Sequence, residues 1–207
     1  MMRGRPRAFD ADEAIVRAMR LFWRRGYEGT SLSDLTEEMG ITRPSLYAAF
    51  GNKDELFLKV LDRYDLETAH FIQASLMAPT ARALAEGMIR GACAFHADPG
   101  NPPGCLMVHS ALTGGSASEV ARAETRSRRG RLKDLIAERL VQAQADGELG
   151  SDTDPAALAG YLVAVLRGLA VEAASGAQPE ELRRIADIAL TAWPQTPSGA
   201  SVSRSMP

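Results

Sequence analysis

Three hydrogen-bonding side chains lie on one face of a short predicted helix. Arg43, Ser45 and Tyr47 fall on the polar face of the segment 43–50, away from apolar positions such as Leu46. A guanidinium group can read guanine in the major groove of DNA, and hydroxyl groups bind base edges or phosphates. The segment is short enough to enter the major groove, so it is typical of a DNA-reading helix.

Two Cys–His pairs flank the Pro/Gly-rich loop near residues 99–104. Cys93 and His96 are spaced i, i+3, and Cys105 and His109 are spaced i, i+4, so each pair shares a helix face. Thiolates and imidazoles bind soft or borderline metals, and a thiol in the first turn of a helix suits an electrophile or oxidant sensor. Both cysteines also fit ordinary core positions, so sensor, metal ligand and core all stay open.

The sequence carries none of the common catalytic motifs. Walker A, G-x-G-x-x-G, G-x-S-x-G and H-E-x-x-H patterns are absent, and the three histidines are the only imidazole bases. We therefore expect a non-enzymatic protein with no cofactor and no bound metal. Two kinds of binding module remain, a DNA-binding protein and, as the alternative, a helical adaptor that contacts only proteins.

Four helix-start signals position the side chains of the N-terminal part. Asp10, Ser31 and Asn52 are N-cap residues followed three positions later by a carboxylate, and Thr42 is followed by a proline in the first turn. They predict helices over 11–25, 32–39, 43–50 and from 53 to about 77. Only residues 40–42, beginning with a glycine, separate the second helix from the third, which is the spacing of a helix-turn-helix.

The segment that contains these signals resembles a known family. The stretch from Phe9 to about Tyr64, above all LFWRRGYEGTSLSDLTEEMGITRPSLYAAFGNKDELF, resembles the DNA-binding domain of TetR/AcrR-type bacterial transcriptional regulators. One departure is Thr36, where helix-turn-helix sequences commonly have a small alanine. The resemblance implies a transcriptional regulator, most often a repressor that a small-molecule effector releases from its operator.

The resemblance also implies roles for individual residues. Arg43 and Ser45 match positions that contact bases in the family. Positions that contact phosphates are matched here by Thr30, Ser31, Thr42, Tyr47 and Lys53. Helix N-termini and hydroxyl groups suit phosphates, which agrees with this assignment.

A basic arm precedes the first helix. Its residues Arg3-Gly4-Arg5-Pro6 resemble the core of an A/T-hook, in which an extended Arg-Gly-Arg lies in a narrow minor groove. Arg3 and Arg5 are therefore candidate DNA contacts, and a nonspecific basic tail is the open alternative.

The C-terminal part contains helical patterns over 80–98, 104–113, 118–147, 154–176 and 179–193. In the family the last two helices pair with their copies in a second subunit, and a two-fold dimer reads a pseudo-palindromic operator. The apolar stripes predict a homodimer interface, with a core role in a monomer as the alternative, at Leu162, Leu166, Leu169, Leu182, Ile185 and Ala189. Candidates for the pocket of an unidentified small-molecule effector are Met88, Phe95, Cys105, Leu106, Met107, His109 and Leu112.

These observations together predict an all-α protein. We expect an N-terminal three-helix helix-turn-helix DNA-binding domain and a C-terminal helical ligand-binding and dimerisation domain. The predicted divisions are a basic arm at 1–8, the DNA-binding domain at 9–64, the C-terminal domain at 65–194 and a disordered tail at 195–207.

Charge and hydropathy bound the remaining possibilities. The 207 residues carry a net charge of −2, which neither demands nor excludes a nucleic-acid partner. No uncharged run free of Gly or Pro approaches the ~20 apolar residues that span a bilayer, and charged residues occupy the start of the chain. We expect a cytoplasmic protein with reduced cysteines and no membrane partner. A basic run alternates with acidic residues and is interpreted as a solvated face: Arg126, Arg128, Arg129, Arg131 and Lys133.

Overall fold

A computed structural model describes residues 9–112 and 118–194, apart from the side chains of residues 111 and 112. Within these ranges the chain forms nine α-helices and no strand, which confirms the all-α prediction. The helices are α1 Ala11–Arg25, α2 Leu32–Met39, α3 Arg43–Phe50, α4 Lys53–Leu76, α5 Ala81–Ala97, α6 Leu106–Leu112, α7 Glu119–Ala145, α8 Pro155–Ala174 and α9 Pro179–Thr191. The predicted arm at 1–8 and tail at 195–207 lie outside the described residues.

Side-chain caps begin the first four helices where the sequence predicts. The Asp10 carboxylate accepts from the backbone of Asp12 and Glu13, and Thr42 Oγ1 accepts from the Ser45 amide at 3.3 Å. Ser31 and Asn52 each form a capping box with the carboxylate three residues later. Each of these bonds satisfies an amide that has no partner inside its helix, so local sequence alone places the helix starts.

The first hydrophobic core lies between α1, α2, α3 and the first half of α4. Aromatic rings fill its centre: Phe22 meets Phe57 edge-on at 5.1 Å between centroids, and Tyr27 meets the same ring at 5.0 Å. Gly40 ends α2 in the left-handed conformation at φ 67°, which turns the chain sharply into α3. At Thr36, Oγ1 donates to the Leu32 carbonyl at 3.1 Å and to the Ser33 carbonyl at 2.9 Å. The hydroxyl group is thus satisfied within α2.

The second core lies between α5, α7, α8 and α9. Its centre contains fully buried side chains such as Leu84, Ile89, Leu140 and Leu162, and Trp193 closes it after α9. From the sequence we expected no segment able to cross a membrane, but α8 is long and apolar enough by length and composition. Its contacts with α5, α7 and α9 are those of a core helix, so this apolarity has a structural explanation within the protein.

Helix α4 belongs to both cores. Leu56, Phe57 and Leu61 lie in the first core, whereas Ile72 and Leu76 pack against the second. The predicted domain boundary at 64/65 therefore falls inside a continuous helix. Residues from beyond that boundary also enter the first core, since Leu106 of α6 and Ala121 of α7 are buried there. The DNA-binding part and the C-terminal part consequently share a packed contact rather than a linker.

Candidate DNA interface and effector cavity

The helix α3 presents the predicted DNA-reading side chains. Leu46 and Phe50 are buried against the first core, while Arg43 and Tyr47 on the other face are exposed, Tyr47 by 50%. Ser45 is half-buried, and its hydroxyl lies 3.0 Å from Thr42 Oγ1. This arrangement leaves guanidinium, phenol and hydroxyl groups on one accessible helix face, as direct readout of base edges requires.

The Arg43 side chain is held against α2. Its Nη2 donates to Ser33 Oγ at 2.7 Å, a single bond to an exposed hydroxyl. An exposed hydrogen bond of this kind contributes about 1 kcal/mol, because water replaces it readily. The Arg43 side chain can therefore exchange its hydrogen bond with Ser33 for one with a base at little energetic cost.

The predicted phosphate contacts differ in their accessibility. Ser31 is exposed, and its hydroxyl donates to Asp34 Oδ2 at 2.5 Å. Lys53 is half-buried, with Nζ 4.1 Å from the centroid of the Tyr27 ring, and burial lowers the pKa of its ammonium group. The Tyr27 hydroxyl in turn donates to the Asp54 carboxylate.

The position of Thr30 differs from the prediction that it contacts a phosphate. Its side chain is fully buried, and Oγ1 donates to the Gly26 carbonyl at 2.8 Å. The hydroxyl closes the turn that follows α1, so its role is to join α1 to α2 and not to bind a phosphate. Arg3 and Arg5, the candidate minor-groove contacts, lie outside the described residues.

A cavity of about 160 Å³ lies between α4, α5, α7, α8 and the start of α6. Three of the predicted pocket residues, Phe95, Cys105 and Met107, line it. Further walls come from Phe71, Ile72, Leu132, Val163 and Leu166. The cavity is therefore mostly apolar, with a few polar groups, which is the usual composition of a small-molecule site.

Three other predicted pocket residues lie elsewhere. Met88 is buried in the second core, Leu106 is buried in the first, and His109 Nδ1 lies 3.0 Å from the Trp23 carbonyl oxygen. Met88 and Leu106 thus face the cores, and His109 faces α1, although all three lie on helices near the cavity. The side chain of Leu112 is outside the described part of the chain.

Charged groups on the cavity wall were not predicted from the sequence. Arg128 and Arg129 of α7 line the cavity, although their run was interpreted as a solvated face, and Arg128 is only 9% exposed. Arg167 of α8 and Asp65 of α4 also line it. A signal for Arg167 was present, because it is the single charge between Pro155 and Val171 in an otherwise apolar helix.

The four Cys and His candidates do not form a metal site. Cys93 Sγ donates to the Leu182 carbonyl at 3.6 Å inside the second core, and His109 contacts α1 instead of the cavity. Throughout residues 9–112 and 118–194, no three His, Cys, Asp or Glu side chains group so that they could hold a metal ion. Within the described residues these four side chains therefore do not converge on one site, and Cys105 lies on the cavity wall.

The cavity wall is bonded directly to the DNA-binding part. The Trp23 indole donates to the Gly104 carbonyl at 3.0 Å, and its ring stacks on Phe95 at 5.5 Å between centroids. The Tyr64 hydroxyl donates to Cys105 Sγ at 3.2 Å. Burial raises the pKa of Tyr64 well above its ordinary value, so this hydroxyl stays protonated and remains a donor.

The predicted dimer interface also needs correction. Leu162, Leu169, Leu182 and Ala189 are buried within the subunit and cannot meet a partner. Leu166 and Ile185 are partly buried against the same core. Exposed small and apolar residues lie at other positions of these helices, among them Ala157, Ala164, Gly168, Val171 and Ile188.

Comparison with known proteins decides the family. Residues 14–60 match the family model of bacterial regulatory proteins, tetR family, and residues 81–189 match the tetracyclin repressor-like C-terminal domain. The chain belongs to the TetR family. This TetR-family protein is a DNA-binding regulator of transcription, in agreement with the sequence prediction.

Individual relatives match this TetR-family regulator over nearly its whole length. The HTH-type transcriptional repressor ComR of Escherichia coli K12 is 38% identical over 196 residues, which are 93% of each chain. YezE of Bacillus subtilis 168, an HTH-type transcriptional regulator, is 34% identical over 91% of this chain and 98% of its own. A cysteine-substituted TetR-family regulator CifR, solved with a 26 bp operator duplex, is 44% identical with a TM-score of 0.87. That match covers 92% of this chain and 100% of CifR.

Proposed function

We propose that this protein represses transcription by binding a pseudo-palindromic operator as a homodimer, and that a small molecule in the cavity releases it. The observation that carries the proposal is the direct contact of the DNA-binding part with the cavity wall, through Tyr64 to Cys105, and with the adjoining turn, through Trp23 to Gly104. A ligand that moves this wall must also move α1 and α4. The repressor named ComR and the operator complex of CifR support the same function.

The DNA step follows from the exposed face of α3. Arg43 and Ser45 are the proposed base contacts, and Ser31, Thr42, Tyr47 and Lys53 are the proposed phosphate contacts. One helix-turn-helix contacts too few base pairs for specific binding, whereas two subunits related by a two-fold axis read two half-sites. The arm with Arg3 and Arg5 adds contacts in the adjacent minor groove.

The partner subunit is proposed to pack on the exposed faces of α8 and α9. Gly168 has no atom within 4 Å of the position that a Cβ would occupy, and Ile188 is 73% exposed. A glycine on an exposed apolar face lets a partner helix approach closely, and an exposed isoleucine gains stability when a partner covers it.

Release of the operator requires that the ligand bind two conformations of the dimer unequally. The proposed ligand favours a conformation in which the two α3 helices no longer match the spacing of the half-sites. Because α4 runs from the first core to the cavity, a displacement of its C-terminal half tilts the DNA-binding part. We place this regulator in the cytoplasm, where its operator is, and assign it no enzymatic activity.

A thiol-sensing variant of the same repressor is the second candidate. Cys105 Sγ is partly exposed on the cavity wall and accepts a hydrogen bond from Tyr64, so a small electrophile in the cavity meets it. Alkylation of the sulfur would remove this bond to α4. Titration of operator binding with a mild electrophile distinguishes the two candidates: release that Cys105→Ser abolishes favours thiol sensing, and release unaffected by the substitution favours a reversible ligand.

Selection of bound sequences from random DNA tests the proposed function. We expect two inverted copies of one half-site, with affinity that falls steeply as salt rises, because phosphate neutralisation releases counterions. Recovery of no preferred sequence, together with binding insensitive to salt, would instead support a helical adaptor that contacts only proteins.

A further inference from the structure

The cavity contains more positive charge than its own carboxylates neutralise. Of its three arginines, Arg128 is fully paired: it donates to Asp65 Oδ2 at 2.6 Å, to Asp62 Oδ1 at 2.7 Å and to Glu124 Oε1 at 2.7 Å. Asp65 is the single carboxylate among the cavity-lining residues that the structure describes, and it is engaged by Arg128. No cavity-lining carboxylate therefore remains for the other two arginines, Arg129 and Arg167.

Arg129 and Arg167 have no acidic partner among the described residues. Neither guanidinium lies within 4.0 Å of a carboxylate oxygen, and Arg129 Nε is buried without a hydrogen-bond acceptor. Burial and the neighbouring Arg129 lower the pKa of Arg167, so the two cations repel each other in a partly desolvated site. An unpaired, partly desolvated cation costs free energy, and an anion placed between the two would recover part of it.

The size of the cavity favours a small anion. Its volume of about 160 Å³ is close to that of cavities that accommodate a single benzene ring. Phe71, Phe95, Ile72 and Val163 provide apolar walls for the body of the ligand. A phosphorylated or multiply charged metabolite would place charge against these walls, whereas a compact apolar body with one anionic group would not.

His96 adds a polar but uncharged group to the same wall. Burial lowers its pKa to about 4, opposed by a hydrogen bond with the backbone of Gly104, so the imidazole is neutral at physiological pH. Its Nδ1 is buried and has no partner among the described residues. The positive charge of the cavity thus comes from the arginines alone and does not change between pH 5 and 8.

We propose that the effector of this regulator is a small monocarboxylate with a compact apolar body, whose carboxylate is held by Arg129 and Arg167. This inference rests on the proposed function for its regulatory consequence. The binding itself depends only on the cavity. A planar guanidinium donates two parallel bonds to a carboxylate, which explains why arginine at these positions favours this anion.

Matched acid and amide probes test the charge requirement. Benzoate and benzamide, and 3-methylbutyrate and 3-methylbutanamide, are titrated into the full-length protein by calorimetry. At least one acid should bind at least about tenfold more tightly than its amide, as expected for a charge-assisted hydrogen-bonded pair. Equal affinities, tighter binding of the amides, or no binding by either acid at millimolar concentration would overturn the proposal.

Arginine variants locate the site. Arg167→Gln and Arg129→Gln should each reduce the preference for the acid to about twofold or less, with a melting temperature no lower than that of the wild type to show that folding is intact. The control is Arg131→Gln, because Arg131 belongs to the same helix but is exposed and does not line the cavity. An equal loss of preference in the Arg131 variant would contradict this placement of the carboxylate.

Operator binding is measured separately in the presence of the acid that binds. Release of the operator supports both the ligand class and the proposed function. Tight, arginine-dependent binding of the acid without release would leave the ligand class supported and refute the effector step of the proposed function. Release of the operator by the amides alone would support the effector step of the proposed function and refute the carboxylate as the ligand class.

Discussion

Arg43 is bonded in a way that suits a residue exchanging partners on DNA binding. Its guanidinium group rests on Ser33 in the unbound protein, on the exposed surface between α2 and α3. The hydroxyl groups of Ser45 and Thr42 likewise hydrogen-bond to one another in the unbound protein. The residues proposed for DNA contact are therefore held by hydrogen bonds that are exposed to solvent, whereas the bond of the buried Thr30 stabilises the fold.

Replacement of Arg43 tests the base contact. Arg43→Ala should weaken operator binding by about 1–3 kcal/mol and relax the preference at one base pair in each half-site. Fluorescence anisotropy with operator variants measures both effects, and Arg131→Ala, an exposed position on α7, is the control. A loss of equal size on every DNA sequence would show that Arg43 contacts a phosphate.

His96 predicts a dependence of stability on pH. Its folded-state pKa of about 4 lies below the ordinary value of 6.5, so the unfolded chain binds more protons between these values. Stability is therefore complete above pH 6.5 and falls as the pH falls toward 4. Between pH 7 and pH 5 this group accounts for a loss of about 2 kcal/mol in the free energy of unfolding.

Urea denaturation at the two pH values measures this loss. His96→Gln should lose less stability than the wild type on going to pH 5, whereas the exposed His70→Gln should behave as the wild type does. An identical pH dependence in wild type and His96→Gln would mean that folding does not lower the pKa of His96.

At the scale of elements, the turn before α6 connects the cavity to α1. Gly104 has φ +85° and carries the carbonyl that Trp23 bonds, and a Cβ there would lie 2.9 Å from the Ala174 Cβ of α8. The turn thus contacts α1 and α8 at once. Helix α4 makes the second connection, since its two halves belong to different cores.

Two glycine variants measure how tightly this turn is held. Gly147 has a similar φ of +77°, but no atom lies within 4 Å of the position that a Cβ would take. Gly147→Ala therefore incurs only backbone strain, about 1 kcal/mol. Gly104→Ala should destabilise the protein by at least about 2 kcal/mol, because the strain adds to the contact with α8. Chemical denaturation compares the free energies of unfolding of the two variants. Equal losses of stability would show that the turn at Gly104 can shift away from α8 at no cost.

At the scale of the whole molecule, DNA reading depends on two subunits. Exposed small or apolar residues lie on α8 at Ala157, Ala164, Gly168 and Val171 and on α9 at Ile188, where charged residues such as Arg184 and Asp187 are also exposed. A dimer formed there would fix the distance between the two α3 helices. Helix α8 also lines the cavity, so a ligand in the cavity and the partner subunit would both contact this helix.

Ile188→Glu tests the dimer. Burying a carboxylate in an apolar interface is costly, so this variant should run as a single chain in light scattering and bind the operator at least about a hundredfold more weakly. Leu66→Glu, an equally exposed change on α4, is expected to remain a dimer. Retention of the dimer by the Ile188 variant would place the interface elsewhere.

Local signals in the sequence were sufficient for the helices and the helix-turn-helix. The caps at Asp10, Ser31, Thr42 and Asn52 act within four residues, and the apolar period of a helix repeats within one turn, so both can be read without any partner in space. The exposed face of α3 followed from the same pattern. Arg43 and Tyr47 were therefore assigned correctly as accessible residues.

Only the tertiary structure decided which faces of the C-terminal helices meet the core, the cavity or solvent. Leu162 and Leu182 proved internal, Arg128 and Arg129 proved to line a cavity, and Thr30 proved to be a buried turn residue. An apolar residue on a helix that is apolar all round looks the same in sequence whether a neighbour or a second subunit covers it. Its environment is set by packing between residues far apart in the chain, which no local pattern records.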